Sequence, residues 1–185
     1  MLRKFLPGSI LVAIAPLFAW VGSNLALSEE LNRADVVSIE HLPNANYRYV
    51  TGKFSGSGVT DEDLIIVQEE ELRQSEGHYF LFRKMGNQIV GTLHHIPSGA
   101  HVCISGQVNG NTITGQAVER IASPFQTIAV ISSGTDFTGW DAEQNLQVRQ
   151  GIKTGIRIQY GEASLSLNGF YRINAGMRSP PQKCA

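Results

Sequence analysis

From residue 78 onward, apolar and polar residues alternate with a period of two between glycine-marked reversals. That period is the mark of half-buried β-strands. In residues 101–108, Val102, Ile104 and Val108 fall on one side and His101, Cys103, Ser105 and Gln107 on the other. Asn109-Gly110 follows, the strongest short hairpin signal, because a type I′ turn needs positive φ at both central residues. Residues 112–118 form the return strand. Residues 78–84 are rich in aromatics, with Phe80 and Phe82 on one face and Tyr79 and Leu81 on the other. A strand apolar on both faces is expected to be central, or covered by another segment. Met85-Gly86-Asn87 turns the chain into residues 88–96, which Pro97-Ser98-Gly99 ends. Strands are also expected at 125–131, at a short edge within 137–140, and from 146. Ile156, Ile158 and Tyr160 alternate up to Gly161-Glu162, which reads as a II′ turn leading into Ala163, Leu165 and Leu167. Upstream, Leu42-Pro43-Asn44 turns into a first strand carrying Tyr47 and Tyr49.

Two hairpins share a pattern. Gly86-Asn87-Gln88-Ile89-Val90-Gly91 matches Gly110-Asn111-Thr112-Ile113-Thr114-Gly115. Gly91 and Gly115, lacking side chains, allow a strand to bend or an aromatic ring to pack close. About eight to ten strands joined by short turns predict an all-β fold. The expected form is an antiparallel up-and-down sheet closing into a small lipocalin-like barrel, or a sandwich. The β domain is placed at residues 42–174. Within it, residues 55–77 form an irregular acidic loop whose spacing does not match a calcium-binding loop. Residues 175–185, with Pro180-Pro181, read as an extended C-terminal tail.

The N-terminus departs from this pattern. Arg3 and Lys4 precede an apolar run at residues 5–21, broken by Pro7 and Pro16, and Ala26-Leu27-Ser28 supplies small residues. Residues 1–28 thus read as a secretory signal peptide cleaved before Glu29, with 29–41 a polar lead-in. A retained anchor would need about 20 unbroken apolar residues. Losing the leader removes two basic groups and no acid from 15 basic and 16 acidic residues, leaving a net charge of −3. That balance argues against nucleic acid, which asks for a basic stripe. No later stretch is long enough to be a membrane helix, so no integral span is expected after cleavage.

Candidate chemistry is sparse. Cys103 and Cys184 are the two cysteines, and an even count in an exported chain predicts a disulfide. Cys103 lies on the polar face of its strand, where a tail crossing the sheet can reach it. Histidines 78, 94, 95 and 101 lie close in sequence, but His94 and His95 must point to opposite faces. His95 and His101, flanking the turn at 97–99, are the pair expected to approach. Neither metal ligands nor cofactors are assigned from this pattern. There is no G-x-S-x-G elbow, and nothing in the spacing of Glu119, Asp136, Asp141 and Glu143 demands a pair of catalytic carboxylates. No catalytic residue is assigned, and the chain is not expected to be an enzyme. Tyr47, Tyr49, Phe80, Phe82 and Trp140, with Phe125 and Phe137, either fill the core or line a cavity for a small apolar ligand.

Residues 42–49, 82–91 and 102–111, with Arg172-Ile173-Asn174-Ala175-Gly176, Pro180-Pro181 and Cys184, resemble a group of small exported cyanobacterial proteins carrying repeated GNxIxG hairpins. The resemblance covers most of the mature chain and implies a bacterial setting, periplasmic or extracellular. It carries no catalytic residues. The combined expectation is a non-enzymatic exported protein with a binding or structural role in the cell envelope. The alternatives are a carrier of a small apolar ligand, and a hydrolase or metal-binding protein.

Overall fold

A computed structural model of the chain describes residues 38–52, 64–121 and 135–185. The signal segment, most of the polar lead-in, part of the acidic loop and the strand expected at 125–131 lie outside the described residues. The described strands form one antiparallel sheet. They are β1 (Ala45–Val50), β2 (His78–Met85), β3 (Gln88–His95), β4 (His101–Asn109), β5 (Thr112–Arg120), β6 (Thr138–Gly139), β7 (Leu146–Thr154), β8 (Arg157–Ser166) and β9 (Tyr171–Ile173). One short helix, α1 (Glu69–Gln74), precedes β2.

The strand order is β6-β7-β8-β5-β4-β3-β2-β1-β9. β2 to β5 are sequential neighbours, as an up-and-down reading requires. The order then departs from it: β5 pairs with β8, and β6 and β9 end the sheet. Among the described residues these two edge strands do not pair with each other, so the expected closure into a barrel is not found. Both edges are only two or three residues long, which limits the unpaired backbone they offer.

One face of the sheet carries the main core. Tyr47, Tyr49, Phe80, Phe82, Ile89, Leu93, Val102, Ile104, Ile113, Ile158, Tyr160 and Leu165 belong to a single buried cluster. These are the residues on the apolar phase of each strand, so burial follows the period-two pattern. A 3-10 turn at Ile39–His41 covers the hairpin end of this face. The Ile39 amide donates to Asn111 Oδ1 (3.0 Å), and the Gly110 amide donates to the Glu40 carboxylate (2.9 Å). The repeated asparagine of the second hairpin thus anchors the chain that enters the domain.

The three tight hairpins among the described residues place glycine first in a two-residue loop. Gly86, Gly110 and Gly155 have φ of 59°, 59° and 62°, while the residue after each has negative φ. The β4–β5 reversal is therefore centred on Gly110-Asn111, one residue later than expected, with the glycine-first pattern of a II′ turn.

The turn expected at Gly161-Glu162 is not there. β8 runs straight through it, and the reversal is at Gly155. On β8, Tyr160 faces Ala117 and Ala163 faces Gly115, so Gly161 and Glu162 together oppose Gln116 alone. This is a β-bulge. It shifts the side-chain phase by one residue, so that Ile158, Tyr160, Ala163 and Leu165 all face the core. A phase change marked by glycine looks the same in the sequence whether the chain bulges or reverses.

The opposite face is covered locally, as the two-sided apolarity of β2 requires. Val50, Val67, Leu72 and Ile173 form a small second core, with Ile65, Tyr79 and Ile96 packed against it. Arg48, 1% exposed, holds this cover in place. Its guanidinium pairs with Glu69 of α1 at 2.7 Å and donates to the Asn174 carbonyl at 3.1 Å. The Asn174 side-chain carbonyl accepts from the Val67 amide at 2.9 Å. The tail then crosses this outer face to the Cys103–Cys184 disulfide, which closes 81 residues of separation.

Candidate functional site

The four histidines of β2, β3 and β4 separate by strand phase into two groups. His78 and His95 are cross-strand partners on the inner face. His94 and His101 are partners on the outer face. The expected approach of His95 to His101 fails, because residues six apart on adjoining antiparallel strands here have opposite phase.

His78 opens β2 and its backbone is fixed at both groups. Its amide donates to Thr51 Oγ1 (2.8 Å), and its carbonyl accepts from the Thr51 amide (2.8 Å). Gly77 precedes it with φ of 98° and its missing Cβ lies against Thr51, so glycine is required there on both counts. The His78 ring is fully buried and stacks on His95 at 4.8 Å between centroids. His95 is itself held by a 2.6 Å hydrogen bond between Nδ1 and the Ser98 hydroxyl.

The connection between β6 and β7, five strands away in sheet order, meets His78 across the inner face. Asp141 Oδ2 lies 3.6 Å from His78 Nε2, and Glu143 Oε2 lies 3.9 Å from Nδ1. Trp140 packs beside them, its ring 6.4 Å from that of His78. Asp141 has 3% of its side chain exposed and is held in place from within its own loop. The Asn145 side-chain amide donates to Oδ2 (2.8 Å) and the Leu146 amide to Oδ1 (3.1 Å). Both nitrogens of His78 lack a hydrogen-bond partner. Burial pushes the His78 pKa below its ordinary value, opposed mainly by the Asp141 carboxylate. One ligand atom from each of His78, Asp141 and Glu143 can be chosen so that all lie within 4.8 Å of one another. No other group of three His, Cys, Asp or Glu side chains among the described residues meets that spacing.

The outer group is different in kind. Tyr79, His94 and His101 stack in a ladder with centroids 4.4 Å and 5.5 Å apart. Arg178 of the tail donates to the Tyr79 hydroxyl at 3.2 Å. A cleft of about 250 Å³ lies here, bordered by α1, Tyr79, His94 and Arg178. The His94 pKa is pushed down to about 4, first by burial and then by the His101 and Arg178 charges. A histidine depressed in the folded state resists protonation that the unfolded chain accepts near 6.5. Stability is therefore complete above pH 6.5 and falls as pH drops from 6.5 toward 4. The ring is partly exposed, so the loss is roughly 1–2 kcal/mol rather than the full value of the shift. His94→Gln is expected to remove that part of the acid sensitivity. Urea midpoints at pH 7 and pH 4.5 for both proteins check this; an equal drop in the two would refute it.

The remaining sequence candidates are spread apart. Tyr47, Tyr49, Phe80 and Phe82 are 0–4% exposed and pack on one another, with Phe80 and Phe82 at 4.9 Å and Tyr47 and Phe82 at 5.4 Å. Trp140 lies with His78, and Phe137 is exposed beneath the Arg149 guanidinium. Glu119 accepts a 2.8 Å hydrogen bond from the Tyr160 hydroxyl, apart from Asp141 and Glu143. Sequence reasoning missed the meeting of His78 with Asp141 and Glu143. An Asp-x-Glu in a short loop is common, and nothing local shows that the sheet carries it back to β2.

The chain matches no known protein family, no curated protein and no solved structure. Among the described residues no helix is long and apolar enough to cross a membrane.

Proposed function

We propose that the protein is exported and acts outside the cytoplasm as a non-catalytic binding or structural protein of the cell envelope. The observation that carries this reading is the Cys103–Cys184 disulfide, which ties the C-terminus to the centre of the sheet. Such bridges persist in oxidising compartments, and the leader at residues 1–28 provides the route there. The non-catalytic part rests on burial. Of the polar groups that converge there, His78 and Asp141 are 0% and 3% exposed and only Glu143 is open to solvent, which leaves a substrate one carboxylate to touch. The mutual stacking of Tyr47, Phe80 and Phe82 favours a packed interior over a cavity for an apolar ligand.

Expression of the full chain in a bacterium with a Sec pathway tests the export step. The protein is expected outside the cytoplasm, beginning at Glu29, with a mass two hydrogens below the reduced value. Cytoplasmic or membrane-bound material that keeps its leader and two alkylatable thiols would overturn the proposal.

A further inference from the structure

We propose that His78, Asp141 and Glu143 form a binding site for a divalent first-row transition-metal cation, with zinc the representative ion. This goes beyond an envelope role and is independent of where the protein resides.

Three observations converge on the site. The first is spacing. Bonds of about 2.1 Å put tetrahedral ligand atoms about 3.4 Å apart. His78 Nε2 and Asp141 Oδ2, at 3.6 Å, already stand near that separation. Glu143 lies nearest the other ring nitrogen, Nδ1, at 3.9 Å, and with 56% of its side chain exposed it has the freedom to swing to the shared position, the three ligand atoms already lying within 4.8 Å of one another. The second is the state of the imidazole. His78 is fully buried with both nitrogens unpartnered, an arrangement that costs free energy unless something is bound there. A neutral imidazole offers one lone pair, so a cation takes one nitrogen and the other keeps its hydrogen. The third is the support behind the ligands. Asp141 is oriented by Asn145 and the Leu146 amide, and the His78 ring is braced by His95, which Ser98 holds in turn. Orienting contacts of this kind fix a ligand before the metal arrives.

The donor set selects the cation. Calcium and magnesium prefer all-oxygen sites with more ligands. One imidazole with two carboxylates suits zinc, copper or nickel, and three protein ligands leave a fourth position for water. The exposed Glu143 gives an entry path from solvent, whereas His78 and Asp141 are closed off from within. The outer histidines His94 and His101 contribute nothing, since strand phase puts them on the other side of the sheet.

The test is calorimetric titration of zinc chloride into the full, disulfide-bonded chain after chelator treatment. One saturable site per chain is expected, with a rise in thermal midpoint on adding zinc. Glu143→Gln, an exposed position, is expected to weaken zinc at least tenfold without changing the metal-free thermal midpoint. Asp141→Asn is expected to weaken it further. His94→Gln/His101→Gln is expected to leave the affinity unchanged. Two results would overturn the site: no saturable binding of zinc, copper or nickel to the unmutated chain, or zinc binding that Glu143→Gln leaves intact. The second would place the ion elsewhere. The first would leave His78 as an imidazole that pairs with its carboxylates only when protonated.

Discussion

Replacing Cys103 and Cys184 by serine together is expected to destabilise the protein by about 4–5 kcal/mol, from the loss of a cross-link that shortens the unfolded chain. The bridge joins residues 81 apart, so it excludes a large part of the unfolded ensemble. Domains of this size are stable by only about 5–15 kcal/mol, so roughly a quarter or more of the total is at stake. The thermal midpoint should fall by roughly 10–15 °C. Besides the bridge, the last residues are held by the burial of Pro180 and by two exposed contacts. Arg120 reaches the Ala185 carbonyl at 3.4 Å in an exposed contact, and Arg178 reaches Tyr79 at 3.2 Å, also exposed. Further in, the Arg48–Asn174–Val67 contacts should survive, so the cover over β1 and β2 stays while residues beyond Pro181 fray. Urea unfolding distinguishes the two contributions. Loss of the cross-link expands the unfolded state, so the slope m should rise as the midpoint falls. A midpoint shift worth under about 1 kcal/mol with unchanged m would show that the unfolded chain was already compact, and would reject the entropic account.

The bridge was legible because it depends only on phase and parity. Cys103 alternates with Val102 and Ile104, so it had to face away from the core, and one other cysteine was available. The same arithmetic placed β2 to β5 and put His94 and His95 on opposite faces. It failed where a bulge changed the phase, at Gly161 and Glu162, because period-two reasoning reads any slip as an end. It also could not see that β8 would insert beside β5, or that the β6–β7 loop would return to His78. Those contacts depend on how far the sheet coils over five strands, a property of the assembled sheet and of no short window. The candidate site was therefore half visible. His78 was marked as a histidine at the start of a strand, while its partners were ordinary acids of a loop.

Substituting alanine at Gly106 or Gly115 is expected to cost about 3 kcal/mol or more, among the largest single-site effects in this fold. These glycines face each other across β4 and β5. A Cβ on Gly106 would run into the Thr114 carbonyl, and one on Gly115 into the Ser105 carbonyl. Both obstacles are backbone atoms of paired strands, which cannot move without breaking the ladder. The position also adjoins the β8 bulge, where Gly115 faces Ala163 and the register then slips. Close backbone approach and a register slip thus coincide at one point of the sheet. Gly91 acts by a different route: a Cβ there would sit 2.5 Å from Phe82 Cβ and 2.7 Å from Phe80 Cζ, so its absence leaves room for the aromatic stack. By contrast, Gly86 and Gly110 have open space around a missing Cβ, and their demand is only for positive φ. Alanine there should cost about 1–2 kcal/mol, the usual penalty for a left-handed residue. The repeated G-N-x-I-x-G thus carries two unlike requirements, conformational at its first glycine and steric at its last. Chemical denaturation of Gly106→Ala, Gly115→Ala, Gly86→Ala and Gly110→Ala ranks them. Equal losses at all four would show that close strand contact plays no part.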